Sequence, residues 1–281
     1  MRIIITLAFV LMNSIGFSQD YSVHVVSWNV FLRPAILRDH QMDRVDSIAA
    51  YLNNTNADVL ILQEVFHRRS RKHLIALLTS NYPYHTEAGK KSFWGVPSGV
   101  LILSKDSIIK ESHVSFKEAT GSDKLAKKGG IMASIRINDE LVNFIGTHLQ
   151  AGGGEEKAEI RTSQITSLSI LANEAKGSII YAGDFNTRAL SPYFADIWTI
   201  LNADTDTLSG KIKSTANFSD HELFETNGSP TWIDFILLQK KSNNSFITTW
   251  IEEPKVEIDG TQQRISDHNP IHSKIRIGVQ Q

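Results

Sequence analysis

Cysteine is absent from all 281 residues, which excludes a disulfide framework, a thiolate metal site and a lipid-modified cysteine anchor. Charge of one sign is lacking as well. With 29 Lys and Arg against 30 Asp and Glu, the formal charge is −1, so no global attraction draws the chain to nucleic acid or acidic membranes. No segment reaches the roughly 20 apolar residues of a membrane span. There is no HExxH helix, no GxSxG elbow, and no phosphate-binding loop, since Gly152-Gly153-Gly154 lacks the following Lys-Ser/Thr. Repeats and low-complexity linkers are missing too, which argues for one continuous domain.

What is present begins with an export-type pattern. Arg2 precedes an apolar run from Ile3 to Met12, and Gly16 and Ser18 are small residues suited to cleavage before Gln19. The expectation is a signal peptide over residues 1–18, a single domain over 19–281, and a secreted or periplasmic protein. A chain of that length buries a large core without disulfide support.

Short runs rich in Val, Ile and Leu predict strands starting at Val23, Val59, Gly99, Ile131, Leu141, Ser178, Asp234 and Ile271. Asn138-Asp139-Glu140 predicts a hairpin. Helical spacing links Met42, Val45, Ala49 and Leu52, and again Ile160, Ile165, Leu168 and Leu171 within 155–175. This predicts a layered α/β (α+β) domain, two sheets packed together with helices outside.

The polar residues fall in informative places. Four apolar strands finish on groups able to bind a metal or activate water: Asn29 in SWNVF, Glu64 in ILQEVF, His148 in IGTHLQ, and Asp184 with Asn186 in YAGDFN. Two later strands begin with such groups, Asp234 in WIDFILL and Asp267 with His268 in SDHNPIH. In a mixed sheet, strand ends of one direction meet strand starts of the other at a single edge. Any one Asp or Asn there is an ordinary turn former. Turn chemistry gives no reason for Glu64, His148 and His268. Oxygen ligands from Glu64, Asp267 and Asn29 suit a hard ion such as Mg²⁺ or Mn²⁺. Phosphate-diester hydrolysis needs this kind of set: charge neutralisation, a positioned water and a stabilised leaving alkoxide.

In order, SWNV, LQEVF, SGVLILSK, GTHLQ, GDFN, IDFILL and SDHNP resemble the motif series of the endonuclease/exonuclease/phosphatase superfamily, over about Val23 to Ile277. The resemblance implies a four-layer α/β/β/α sandwich of the DNase I-like kind. It implies Glu64 as ion ligand, assisted by Asn29 and Asp267. Asp184 would activate water and Asn186 orient it. His268 would be the general acid or transition-state histidine, oriented by Asp234. The stretch Asp123-Lys124-Leu125-Ala126-Lys127-Lys128-Gly129, then GTHLQA, Arg161 and Gln164, is similar to elements of neutral sphingomyelinases. That likeness implies Lys128 for phosphate or loop stabilisation and His148 for contact with the scissile phosphate. Lys127 and Lys128 read equally as a solvated basic turn.

The resulting expectation is an exported Mg²⁺-dependent phosphodiesterase acting on a phospholipid, sphingomyelin in particular, at or near a membrane surface, with no obligate protein partner. Where bacterial sphingomyelinases carry an aromatic-tipped hairpin, this chain has a short polar segment ending in DGTQQR. Phe93 and Trp94 are candidate lipid contacts. Phe246, Ile247, Trp250 and Ile251 suit either a membrane-touching surface or an edge strand with one buried face. Nucleic acid is the runner-up substrate, for which Arg68, Arg69, Arg71 and Lys72 are the dense basic cluster. An inositol-phosphate phosphatase and a non-catalytic module are the other readings.

Overall fold

The computed structural model describes residues 21–37, 40–88, 98–217, 229–240, 244–258 and 260–278. The expected signal peptide, and Phe93 and Trp94, lie outside the described residues. In chain order, β1 (Tyr21–Leu32) is followed by α1 (Gln41–Thr55), β2 (Val59–Val65) and α2 (Arg68–Leu78). Next come β3 (Tyr84–His85), β4 (Leu101–Ser104), β5 (Ile108–Ser115), β6 (Gly129–Ile137) and β7 (Glu140–His148). Then follow α3 (Glu155–Ala172), β8 (Ser178–Asp184), α4 (Phe194–Leu201), β9 (Ala203–Asp204), β10 (Leu208–Ser209) and β11 (Asp234–Gln239). The last elements are β12 (Ser245–Ile251), β13 (Lys255–Ile258), β14 (Thr261–Arg264) and β15 (Ile271–Ile277).

The strands form a seven-stranded sheet, β10-β12-β15-β1-β2-β4-β3, a six-stranded sheet, β5-β6-β7-β8-β11-β9, and the small β13–β14 hairpin. The all-apolar strands are buried on both faces, as sheets covered on both sides require. Between the sheets lies a core containing Val25, Ile61, Ile102, Phe144, Ile180 and Ile236. Val45, Ile48 and Leu52 of α1, with Leu74 and Leu78 of α2, cover the outer face of the first sheet. Ile165 and Leu168 of α3, with Phe194 and Ile197 of α4, cover the second. The architecture is therefore the expected α/β/β/α sandwich.

Local choices agree with it. Asn138 and Asp139 both take positive φ, the conformation a two-residue hairpin turn demands, and Ile137 pairs with Glu140 across it. Gly146 sits tightly against the facing sheet: a Cβ there would stand 2.9 Å from both Ile61 Cγ2 and Val100 Cγ1. β12 is shielded on its outer side by β10 alone. In it Ile251 is buried, Phe246 packs against the inter-sheet core and Trp250 stacks on His24 and His272, so the buried-face reading of that segment holds.

Strand directions bring the polar ends together. β1 and β2 run parallel, as do β7 and β8, while β15 opposes β1 and β11 opposes β8 with Asp234 directly across from Asp184. The ends of β1, β2, β7 and β8 and the starts of β11 and β15 thus share one edge.

Candidate active site

At that edge the first sheet contributes Asn29 and Glu64. Asn29 Nδ2 donates to Glu64 Oε1 at 3.1 Å and to Asp184 Oδ2 at 3.2 Å, which ties the two sheets together. Its amide oxygen accepts from Phe31 N at 3.1 Å, so Asn29 turns its NH₂ group, not its oxygen, toward Glu64. Glu64 adopts φ 57°, a conformation that costs a non-glycine residue on the order of 1–2 kcal/mol. Strain of that size persists where the surroundings over-determine it. Here Val65 N donates to the Gly99 carbonyl at 2.8 Å, and Gly99, itself at φ 73°, leaves room for the Phe66 ring. The two carboxylate oxygens of Glu64 are unequal: Oε2 is enclosed and has no hydrogen-bond partner among the described residues.

The second sheet supplies His148, Asp184, Asn186 and Asp234. Asp184 Oδ1 accepts the backbone N–H of Asn186 at 2.9 Å, and Asn186 Nδ2 donates to the Leu149 carbonyl at 3.2 Å. His148 Nε2 lies 3.5 Å from Asp184 Oδ2. Lys128 Nζ uses its three protons on Asp123 Oδ2 at 2.9 Å, Leu149 O at 2.8 Å and His148 Nε2 at 3.1 Å. Because an ammonium only donates, His148 accepts at Nε2 and carries its proton on Nδ1, which is buried and has no partner among the described residues. Lys128 is itself buried, which fits loop support and excludes the solvated-turn reading for it.

His268 completes the set. Its Nδ1 lies 2.9 Å from Asp234 Oδ2, and its Nε2 3.8 Å from Asp184 Oδ2. Two residues not anticipated as functional hold it. Ser266 Oγ donates to the Asn29 carbonyl at 2.7 Å, accepts from His268 N at 3.3 Å, and lies 3.3 Å from Asp267 Oδ1. Trp28 Nε1 donates to the His268 carbonyl at 2.8 Å. Asp123, the anchor of Lys128, and Thr215, whose hydroxyl accepts from Asp234 N at 3.0 Å, are the other supports. Ser266 and Trp28 stand beside motif residues in SDH and SWN; Thr215 has no comparable signal.

The electrostatics divide the groups by role. Burial, with Asp234 alongside, pushes the Asp184 carboxyl up to about 7. Burial and the nearby Asp267 also raise Glu64 above the carboxylate range. Burial, then Lys128 and His268, hold His148 well below the usual histidine value, so it is neutral. Burial alone would lower His268, but Asp234, Asp267 and Asp184 outweigh it and hold the ring well above 6.5. Asp184, Asp234 and His268 place one ligand-capable atom each within 4.8 Å of one another. His268 is a protonated partner of Asp234, however, so these three form an acid–base group. The donor chemistry for a hard cation lies with Glu64 and Asp267: two carboxylates in each other's field, one with an enclosed unpartnered oxygen, are a set that a divalent ion fits.

The family model described as "Endonuclease/Exonuclease/phosphatase family" matches residues 26–268. The chain belongs to this family. Among curated family relatives, Sphingomyelinase C of Bacillus cereus is 26% identical, over 92% of this chain and 90% of its own length. Phospholipase C of Staphylococcus aureus is 28% identical, over 79% of this chain and 75% of its own. A variant of the Staphylococcus aureus beta toxin, solved with bound magnesium ions, superposes with a TM-score of 0.80 at 25% identity, covering 90% of this chain and 99% of that one.

Proposed function

We propose that the chain is a secreted, Mg²⁺-dependent phosphodiesterase that hydrolyses sphingomyelin to ceramide and phosphocholine. One observation carries the reading. Asn29 joins Glu64 to Asp184 across the two sheets, and Asp184 in turn faces His148 and the Asp234–His268 pair. The names of the curated relatives support the phospholipid class, and the magnesium ions of the related beta toxin support the ion.

Glu64 and Asp267 would hold the ion, whose chemistry is Lewis-acid neutralisation of phosphoryl oxygens; Asn29, expected to assist as a ligand, instead orients Glu64 through its NH₂ group. Asp184 in its ionised form accepts the proton of the attacking water, and Asn186 fixes that water's direction. His148, held neutral beside Asp184, would contact a phosphoryl oxygen of the diester. The water oxygen bonds to phosphorus as the bond to the ceramide oxygen breaks. His268, kept protonated by Asp234, gives its proton to that leaving alkoxide. Water is excluded from most of this set, which strengthens each interaction.

The test is the purified protein assayed on sphingomyelin, lysophospholipid, double-stranded DNA and inositol phosphates, with Mg²⁺ and with EDTA. Fastest turnover on sphingomyelin, abolished by EDTA, is expected. Faster cleavage of DNA would replace this reading with the nuclease one, which draws on the exposed Arg68, Arg69 and Lys72 of α2.

A further inference from the structure

Exposed apolar side chains are unevenly placed on this molecule. Among the described residues, the three most exposed large hydrophobic side chains are Leu190 at 99%, Ile36 at 86% and Leu125 at 76%. All three stand on loops that leave the edge carrying the catalytic groups. Ile36 lies on the turn Ala35–Leu37 just beyond the end of β1, Leu125 lies shortly before β6 begins at Gly129, and Leu190 follows Asn186 beyond β8. The loops come from both sheets, so the three aliphatic tips surround the cleft.

Cations accompany them. Lys124 and Lys127 flank Leu125, and Arg188 precedes Leu190. Beside Ile36 runs a groove of about 570 Å³ between Pro34–Ala35 and the first turn of α2, floored by Phe66 and edged by Arg68, Arg69 and Lys72. The first turn of α2 has no acidic residue, although a helix start favours one. The composition is that of an interfacial anchor: apolar tips at acyl depth with Lys and Arg at headgroup depth. Nucleic acid would use the cations but gives no reason for solvent-exposed Leu and Ile at the rim.

We infer that the rim formed by Ile36, Leu125 and Leu190 with Arg68, Arg69, Lys72 and Arg188 docks the cleft onto an anionic phospholipid membrane surface. The inference rests on the phospholipid reading above and adds where, and with what, the protein meets the bilayer. The polar β13–β14 hairpin is not needed for it.

The experiment uses the catalytically silent His268→Ala protein, cosedimented with phosphatidylcholine vesicles with and without phosphatidylserine. Partition is expected to rise with phosphatidylserine. In the same background Ile36→Ser together with Leu190→Ser should lower partition by about a hundredfold, since withdrawing each side chain from an apolar phase is worth about tenfold or more. Arg68→Gln with Arg69→Gln should cut the phosphatidylserine preference by about 25-fold, each cation near such a surface being worth roughly fivefold. With His268 restored, the serine pair should slow hydrolysis of vesicle sphingomyelin in parallel and leave hydrolysis of a water-soluble phosphocholine ester unchanged. Vesicle partition unaltered by the serine pair, or equal loss on both substrates, overturns the docking surface. So does binding of double-stranded DNA in place of vesicles. Rim-dependent vesicle binding by a protein that cleaves no phosphocholine ester would instead sink the proposed activity and leave the surface standing.

Discussion

Acidification should destabilise this protein through one buried ring outside the cleft. His272 on β15 is almost fully buried, stacked on Trp250 with ring centroids 4.9 Å apart. Its Nε2 lies 2.8 Å from the Tyr51 hydroxyl, which donates to Glu252 Oε2 at 2.9 Å, and its Nδ1 lies 3.3 Å from His24 Nε2. With Tyr51 giving its proton to Glu252, His272 donates from Nε2 and accepts at Nδ1, so both nitrogens are satisfied only while the ring is neutral. Burial, reinforced by His24 and opposed by Glu252, lowers its pKa from 6.5 to about 4. The unfolded chain therefore takes up a proton near pH 6.5 that the folded chain refuses until about pH 4. A group depressed in this way leaves stability intact above 6.5 and erodes it as pH falls across that window. At about 1.36 kcal/mol per pKa unit the loss is about 2 kcal/mol by pH 5 and nears 3 kcal/mol below pH 4. In a domain of this size 2 kcal/mol is roughly 4 °C in Tm. The assay is thermal unfolding from pH 7.5 to 4 for the wild type and for His272→Gln, which keeps polar character without titrating. The variant is expected to start lower and fall less steeply, by about the amount calculated. Parallel curves would refute the assignment, as would an imidazole resonance of His272 that titrates near 6.5.

Three other predictions concern the cleft and the core. Asp234→Asn removes the charge that sustains the His268 imidazolium. Turnover should fall on the order of a hundredfold or more, with the alkaline limb of the pH profile moving to lower pH; an unmoved limb would show that Asp234 does not govern His268. Asp184 must be ionised to accept a proton, and its free carboxyl sits at about 7. Activity should thus rise with pH through an acidic limb that disappears in Asp184→Asn along with most turnover; kcat/KM, which follows the ionisations of the free enzyme, checks this. Gly146→Ala forces a methyl against Ile61 and Val100 and should cost about 1–3 kcal/mol in denaturant unfolding, while Gly153→Ala, where an added Cβ meets nothing within 4 Å, should cost less than a third of that.

The strands rich in Val, Ile and Leu were legible because burial on both faces leaves continuous apolar runs, and the convergence of Asn29, Glu64, His148, Asp184, Asn186, Asp234, Asp267 and His268 followed from their places at strand ends. Among the elements that were not, three show the reasons. β5 (IIKESHVS) is an edge strand whose side chains are mostly half-buried or exposed, so its polarity resembles a loop. α2 opens on Arg68 and Arg69, against the usual acidic first turn, and buries only Ser70, Leu74 and Leu78. α4 has just eight residues, too few to display a helical period. Within the site, the three-way anchoring of Lys128 and the turned-away amide oxygen of Asn29 depend on side-chain orientation, which spacing in a sequence does not encode. The roles of Ser266 and Thr215 are carried by hydroxyls that look like any others until the chain is folded.

Trp28 and Ser266 each reach across more than 230 positions of chain to fasten the loop bearing Asp267 and His268 onto the first strand. A growing polypeptide therefore holds an incomplete catalyst until β15 and the loop before it dock on β1, however well the earlier layers have assembled. For a metal-dependent phosphodiesterase, that order of completion withholds hydrolysis until this late segment has been made and folded back onto the first.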